Sequence, residues 1–115
     1  MFFKNFFGNR EINKKINLLS ALEFKKALQK KGIQLIDVRT PNEFALGKIK
    51  GAQNLNFLDR SGFEKGVEKL NKQAAIYLYC HSGARSKRAS KVLIKMGFCE
   101  VFDLQGGYAN WSDKK

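Results

Sequence analysis

Residues 74–97, AAIYLYCHSGARSKRASKVLIKMG, decide the fold. Ala74–Tyr79 is a continuous apolar run of strand length, the pattern of a parallel strand covered on both faces. Further on, Ala89, Val92, Leu93 and Met96 fall at i, i+3, i+4 and i+7, an amphipathic helix that Gly97 stops. A short loop of small residues joins the two.

The same alternation runs outward in both directions. Ser20 and Glu23 form a capping box, with Leu19 and Phe24 as its hydrophobic staple, and predict a helix over 21–31 that stops at Gly32. Ile33–Val38 reads as a strand. Thr40-Pro41-Asn42-Glu43 is a second capping box, opening a short helix that ends near Gly47. Ala52–Asn56 reads as another strand. Ser61 and Glu64 make a third box ahead of Phe63, Val67 and Leu70 at helical spacing. Glu100–Leu104 is a last short strand, after which Gly106-Gly107 turns the chain into a final short helix carrying Tyr108 and Trp111. Strands alternating with helices predict an α/β fold with a mainly parallel sheet.

At 115 residues the chain has the length of one domain, able to bury roughly 65% of its unfolded surface. Residues 1–15 read as an N-terminal arm with Phe2, Phe3, Phe6 and Phe7, and 16–113 as the domain. The arm lacks the apolar run and cleavage site of a secretory signal, which points to the cytoplasm, where thiols stay reduced. No apolar run approaches the ~20 residues of a membrane span. A single histidine excludes a multi-histidine metal centre built within the chain, and two cysteines are too few for a disulfide scaffold. The net charge of +12 attracts anions, yet the lysines are scattered and no stacking-aromatic pattern of an RNA-binding module is present.

Cys80-His81-Ser82-Gly83-Ala84-Arg85-Ser86 carries the chemistry. In open α/β sheets ligands bind beyond the carboxyl ends of the strands, where Cys80 falls. Ser82, Gly83 and Ala84 let the backbone curl with its N–H groups inward, and the next helix begins there with its positive end toward the sulfur. Each effect favours a thiolate, and the same cradle suits an anion attached to the sulfur or an incoming oxyanion. A buried structural cysteine would lack such a loop. Cys99, near the last strand's start, reads as that structural kind. Arg85 has two readings, pinning the loop or binding an oxyanion, and His81 either tunes the thiolate or faces solvent. Asp37 and Arg39 close a strand at the same edge. Asp37 is expected to accept backbone hydrogen bonds, and Arg39 to form an ion pair with Glu43. Arg60 is a weaker candidate for the pocket wall, and Tyr108 and Trp111 read as core or rim residues.

Taken together, these pieces resemble a single-domain rhodanese, a sulfurtransferase domain. The resemblance rests on LIDVR (35–39), PNEF (41–44), GKIKGAQNL (47–55), YCHSGARS (79–86), Gly97-Phe98, LQGG (104–107) and Trp111, in the family's order over about residues 16–112. Lys48 stands where the family usually has histidine, and a lysine there would hold a basic edge near the site. The resemblance implies a three-layer domain with a five-stranded parallel sheet flanked by helices. It implies that Cys80 accepts a sulfane sulfur from a small anion such as thiosulfate and passes it to a thiol or protein acceptor. His81, Ser82, Gly83, Ala84, Arg85 and Ser86 would line the substrate, with Asp37, Arg39 and Glu43 behind them. No cofactor, metal, nucleic-acid partner or membrane partner is implied, and a monomer is expected.

Three other readings compete. The domain could carry persulfide for a partner protein in a thiolation pathway. It could be an interaction module that kept the fold and lost the chemistry, but the intact Cys80 argues against this. Cysteine-type phosphatases and arsenate reductases hold five residues between cysteine and arginine. Here His81 to Ala84 make four, a ring better suited to one sulfur atom, and no leaving-group acid is evident.

Overall fold

The computed structural model describes residues 15–111. Nearly all of the expected N-terminal arm lies outside the described residues. Five strands, β1 (Ile16–Leu19), β2 (Gln34–Asp37), β3 (Gln53–Asn54), β4 (Ile76–Tyr79) and β5 (Val101–Leu104), form one sheet in the order β1-β5-β4-β2-β3. Every pairing is parallel. Four helices, α1 (Ala21–Ala27), α2 (Pro41–Leu46), α3 (Arg60–Val67) and α4 (Ala84–Lys95), connect them.

The central strand β4 is buried at all four residues, as its unbroken apolar run requires. Its side chains alternate between two cores. Ile76 and Leu78 pack with Phe63 and Val67 of α3 and Ala89 and Leu93 of α4. Tyr77 and Tyr79 face the other way, toward Phe24 of α1, Leu104 and Trp111. The sheet is therefore the middle of three layers, as expected.

The boxes at Ser20 and Thr40 both form, and Pro41 sits in the first turn of α2. Elsewhere the elements differ from expectation. α1 ends at Ala27 rather than 31, because Phe24 is its buried anchor and the residues beyond are mostly exposed. Asp59, not Ser61, caps α3 by accepting from the Gly62 amide at 3.1 Å. A carboxylate two residues earlier starts the helix before the expected box, and Glu64 pairs with Arg60 at 3.2 Å instead. β3 is only two residues long, and the final helix is a single 3-10 turn, Tyr108–Asn110, ended by buried Trp111.

Because all strands are parallel, their carboxyl ends share one edge. Cys80 leaves β4 there, Arg39 follows β2, and Gly106-Gly107 follows β5. Gly107, at φ +64°, brings the last segment against the backbone of the Cys80 loop. The Tyr108 amide donates to Cys80 O at 2.8 Å and the Ala109 amide to His81 O at 2.9 Å. A Cβ at Gly107 would stand 2.5 Å from His81 O and 2.7 Å from Cys80 O. Gly107→Ala is therefore expected to destabilise the domain by at least ~2 kcal/mol in urea unfolding. An unchanged midpoint would contradict this packing.

Candidate active site

Cys80 is 1% exposed and lies where β4 ends. The chain reverses over the next three residues, and the Gly83 amide returns to donate to Cys80 Sγ at 3.0 Å. Gly83 itself takes φ +115° and ψ −18°, the turn by which the chain passes from the loop into the next helix. No atom lies within 4 Å of where its Cβ would stand, so backbone conformation and not space calls for glycine. Ser86, fully buried, lies with Oγ 3.5 Å from Sγ and donates to Gly83 O at 3.2 Å.

α4 opens directly from this loop. Its first helical bond runs from the Lys87 amide to Gly83 O at 3.1 Å. The amides of Ala84, Arg85 and Ser86 thus belong to the unsatisfied first turn, at the positive end of the helix. Backbone N–H groups provide the positive field beside the sulfur. His81 and Ser82 are the exposed crest of the loop.

Two ion pairs fix the flanks, and they are not the pairing expected from sequence. Arg85 grips Glu43 with both terminal nitrogens, at 2.7 and 2.9 Å. Glu43 also closes the capping box of α2, accepting from the Thr40 amide at 3.0 Å. The Arg85 hydrogen bonds, helped by Thr40 and opposed by burial, hold the Glu43 carboxyl down at about 2. Arg39 turns instead to Asp37. Its amide donates to Asp37 Oδ1 at 2.9 Å, its Nε to the same oxygen at 3.0 Å, and its Nη2 to Oδ2 at 2.7 Å. The expected Arg39–Glu43 pair does not form: Asp37 sits two residues back on the same strand end, whereas Glu43 faces the loop from α2. Asp37 does accept the backbone bond expected of it. Arg39, 3% exposed, also donates to Gly47 O at 2.5 Å and lies 4.5 Å from the Tyr108 ring centroid.

Two hollows flank the loop. One, about 360 Å³, includes Arg39, Glu43, Leu46, Gly47, His81 and Tyr108 in its wall. The other, about 470 Å³, lies on the β1 side and is bounded by Ser82, Gly83, Ala84, Lys87 and Asp103. Neither wall includes Arg60, which is exposed on α3 with its guanidinium over the Phe57 ring at 5.1 Å. Lys48 borders a separate hollow with Lys25, Lys50 and Trp111, and its ammonium sits 4.9 Å from the Phe44 ring. Cys99 is exposed on the loop ahead of β5, its Sγ 3.3 Å from Gln73 O, and not a buried strand residue. Sequence reasoning missed Gly107 as the loop's support and Asp103 altogether. Asp103 had a visible signal: a lone acid inside the apolar strand VFDL.

A buried cysteine at the carboxyl end of a central parallel strand, capped by a backbone amide and followed at once by a helix, defines an α/β domain with a cysteine loop at the carboxyl edge of its sheet. A family model described as "Rhodanese-like domain" matches residues 20–114. The chain belongs to that family. It is 38% identical over 96 residues to "Uncharacterized protein YqhL" of Bacillus subtilis (strain 168), covering 84% of this chain and 72% of the relative. It is 32% identical over 86 residues to "Thiosulfate sulfurtransferase GlpE" of Pseudomonas fluorescens, covering 75% and 76%. A "tRNA uridine(34) hydroxylase" of Pelagibacter ubique is 33% identical over 99 residues, but the matched part covers 86% of this chain and only 33% of that protein. Among solved structures, a rhodanese-like domain protein from Staphylococcus aureus superposes with a TM-score of 0.74 at 28% identity, covering 85% of this chain and 93% of its own.

The Glu43–Arg85 pair has a pH signature. A carboxyl whose folded value lies near 2, against 4.5 for the free group, stabilises the fold above 4.5 and loses that contribution as pH falls toward 2. At pH 7 the wild type should exceed Glu43→Gln in stability by ~1–3 kcal/mol, and the gap should close on acidification below about pH 4.5. A gap that persists unchanged to pH 2.5 would contradict the pairing.

Proposed function

We propose that this domain is a sulfurtransferase that carries a sulfane sulfur on Cys80. In the first half-reaction the Cys80 thiolate attacks the outer sulfur of a donor such as thiosulfate. A new Sγ–S bond forms, the donor's S–S bond breaks, and its electron pair leaves with sulfite. In the second, a thiophilic acceptor such as cyanide or a thiolate attacks the outer sulfur. The Sγ–S bond breaks and its electrons return to Cys80. Charge balances in each step, and no proton or redox cofactor is consumed.

One observation carries this reading: the Gly83 amide lies 3.0 Å from a buried cysteine sulfur at the mouth of a helix. The persulfide anion bears its charge on a terminal sulfur, and fixed N–H dipoles stabilise such charge without reorganising. The family membership and the relatives named thiosulfate sulfurtransferase support the same chemistry. The hydroxylase-named relative shares the domain over a third of its own length, so its name supports the domain rather than its activity.

Ser82, Gly83, Ala84 and Ser86 supply the wall around the transferred sulfur, and His81 stands at its entrance. Arg85 acts mainly as the clamp that holds the loop to α2, since both its terminal nitrogens are engaged by Glu43.

Cys80→Ser should abolish cyanide-dependent thiocyanate formation, whereas Cys99→Ser should keep most of it. A folded Cys99→Ser that is equally dead would replace this scheme with a two-cysteine relay. Arg85→Ala should slow thiosulfate and an uncharged sulfur donor by similar factors and lower the melting temperature, with Arg85→Lys intermediate. A loss confined to thiosulfate, with unchanged stability, would make Arg85 an oxyanion binder instead.

A further inference from the structure

α4 carries no acid anywhere along ARSKRASKVLIK. Its buried side includes Ser86, Ala89, Ser90 and Leu93. At about 100° of turn per residue, Lys87, Arg88, Lys91 and Lys95 fall within roughly 100° of arc on the opposite side. All four are exposed, and none makes an ion pair among the described residues. This arrangement works against the helix. Lys87 and Lys91, and Lys91 and Lys95, are like charges at i, i+4, and Lys87 and Arg88 sit toward the end where the helix dipole is already positive. The other three helices each open on a carboxylate: Glu23, Glu43 or Asp59. Local rules broken together on one element, with no local gain, point to function.

The basic face begins at the Cys80 loop. Lys87 borders the hollow of about 470 Å³ that Ser82, Gly83 and Ala84 bound, and Ile16, Leu18 and Leu104 supply apolar wall to the same hollow. Leu18 is 61% exposed on β1, an edge strand of the sheet. The one acid in that wall, Asp103, is 3% exposed. Beside the loop, therefore, the surface is apolar first and basic beyond, and the basic part runs about 12 Å along the helix from Lys87 to Lys95.

We propose that this surface docks the sulfur acceptor, a protein whose thiol lies beside an apolar side chain and a run of acids. The proposal rests on reading Cys80 as the sulfur carrier and names the kind of acceptor it serves. The apolar side chain enters the hollow, the acids lie along α4, and the thiol is left at the loop. Opposite charge steers the encounter and sets its register, while the apolar contact holds it. A phosphate backbone would also match the lysines, but the wall between them and the loop is aliphatic and holds no aromatic ring on which a base could stack.

The test is single-turnover discharge of the Cys80 persulfide, loaded with thiosulfate in a Cys99→Ser background, by short thiol peptides. The peptide thiolate takes the outer sulfur and becomes a persulfide, and the electrons of the Sγ–S bond return to Cys80. One peptide carries cysteine, leucine and a run of glutamates, and its control has glutamine for each glutamate. The glutamate peptide should react faster by about tenfold at low salt, an advantage that fades at high salt and shrinks when serine replaces the leucine. The triple change Lys87→Glu, Arg88→Glu and Lys91→Glu should abolish the advantage. It places acids near the positive end of α4, so the melting temperature should not fall. Lys30→Glu, Lys31→Glu and Lys69→Glu together lower the net charge equally on segments that lead into the amino ends of β2 and β4, at the opposite edge of the sheet, and should keep most of it. No advantage for the glutamate peptide, no loss on removing its leucine, or an advantage that both triple variants lose alike overturns the proposal. Fluorescence anisotropy of the same peptides with serine for cysteine reads docking without transfer. If Cys80 does not load, the sulfurtransferase reading falls while this binding still decides the docking. An oligouridylate that binds more tightly than the glutamate peptide at equal salt would make the face a nucleic-acid surface and overturn the proposal as well.

Discussion

The Gly83 amide lies 3.0 Å from the Cys80 sulfur, and the geometry around it follows from that one contact. The amide returns onto a side chain three residues earlier, and at Gly83 itself the backbone enters the left-handed region. That conformation is also what launches α4, so the turn that caps the sulfur sets the axis of the helix behind it. The helix in turn buries Ala89 and Leu93 against β4, tying the loop to the core it emerges from. Loop, helix and strand are thus one unit, and the sulfur sits where its three parts meet.

A loop this short needs support from outside, and three neighbours provide it. Arg85 is held by Glu43, which is itself the residue that closes the capping box of α2. The loop's far carbonyls are taken by the amides of Tyr108 and Ala109, an approach that only the bare Gly107 permits. Ser86 fills the inside of the turn. Both nearby arginines are neutralised by their own carboxylates, Arg39 by Asp37 and Arg85 by Glu43. The Gly83 amide and the first turn of α4 bring backbone dipoles to the sulfur.

The parts of this arrangement that could be read in the sequence are the local ones. The apolar run Ala74–Tyr79 read as a covered strand and holds β4, Ser20 and Thr40 each met their acid at the right spacing, and the small-residue loop after Cys80 declared its own turn. The parts that could not be read depend on which distant segments meet. Glu43 and Arg85 are 42 residues apart, and nothing along the chain says that the carboxylate will choose Arg85 over the nearer Arg39. The same holds for Gly107, whose turn is visible but whose contact with the Cys80 carbonyl is a product of the sheet order. Asp103 was legible only as an oddity. It shares a hollow with Ser82, Gly83, Ala84 and Lys87 from another part of the chain, and only the folded chain brings them together. Ser61 was misread because Asp59, two residues earlier, already caps the helix and leaves Ser61 inside its first turn.

The central claim, that Cys80 takes up and surrenders one sulfur atom, is tested most directly by intact-mass spectrometry with peptide mapping. The protein would be measured after exposure to thiosulfate and again after cyanide. The account predicts a gain of one sulfur atom, located on the peptide containing Cys80 and reversed by cyanide. No gain, or a gain located on Cys99, would contradict it.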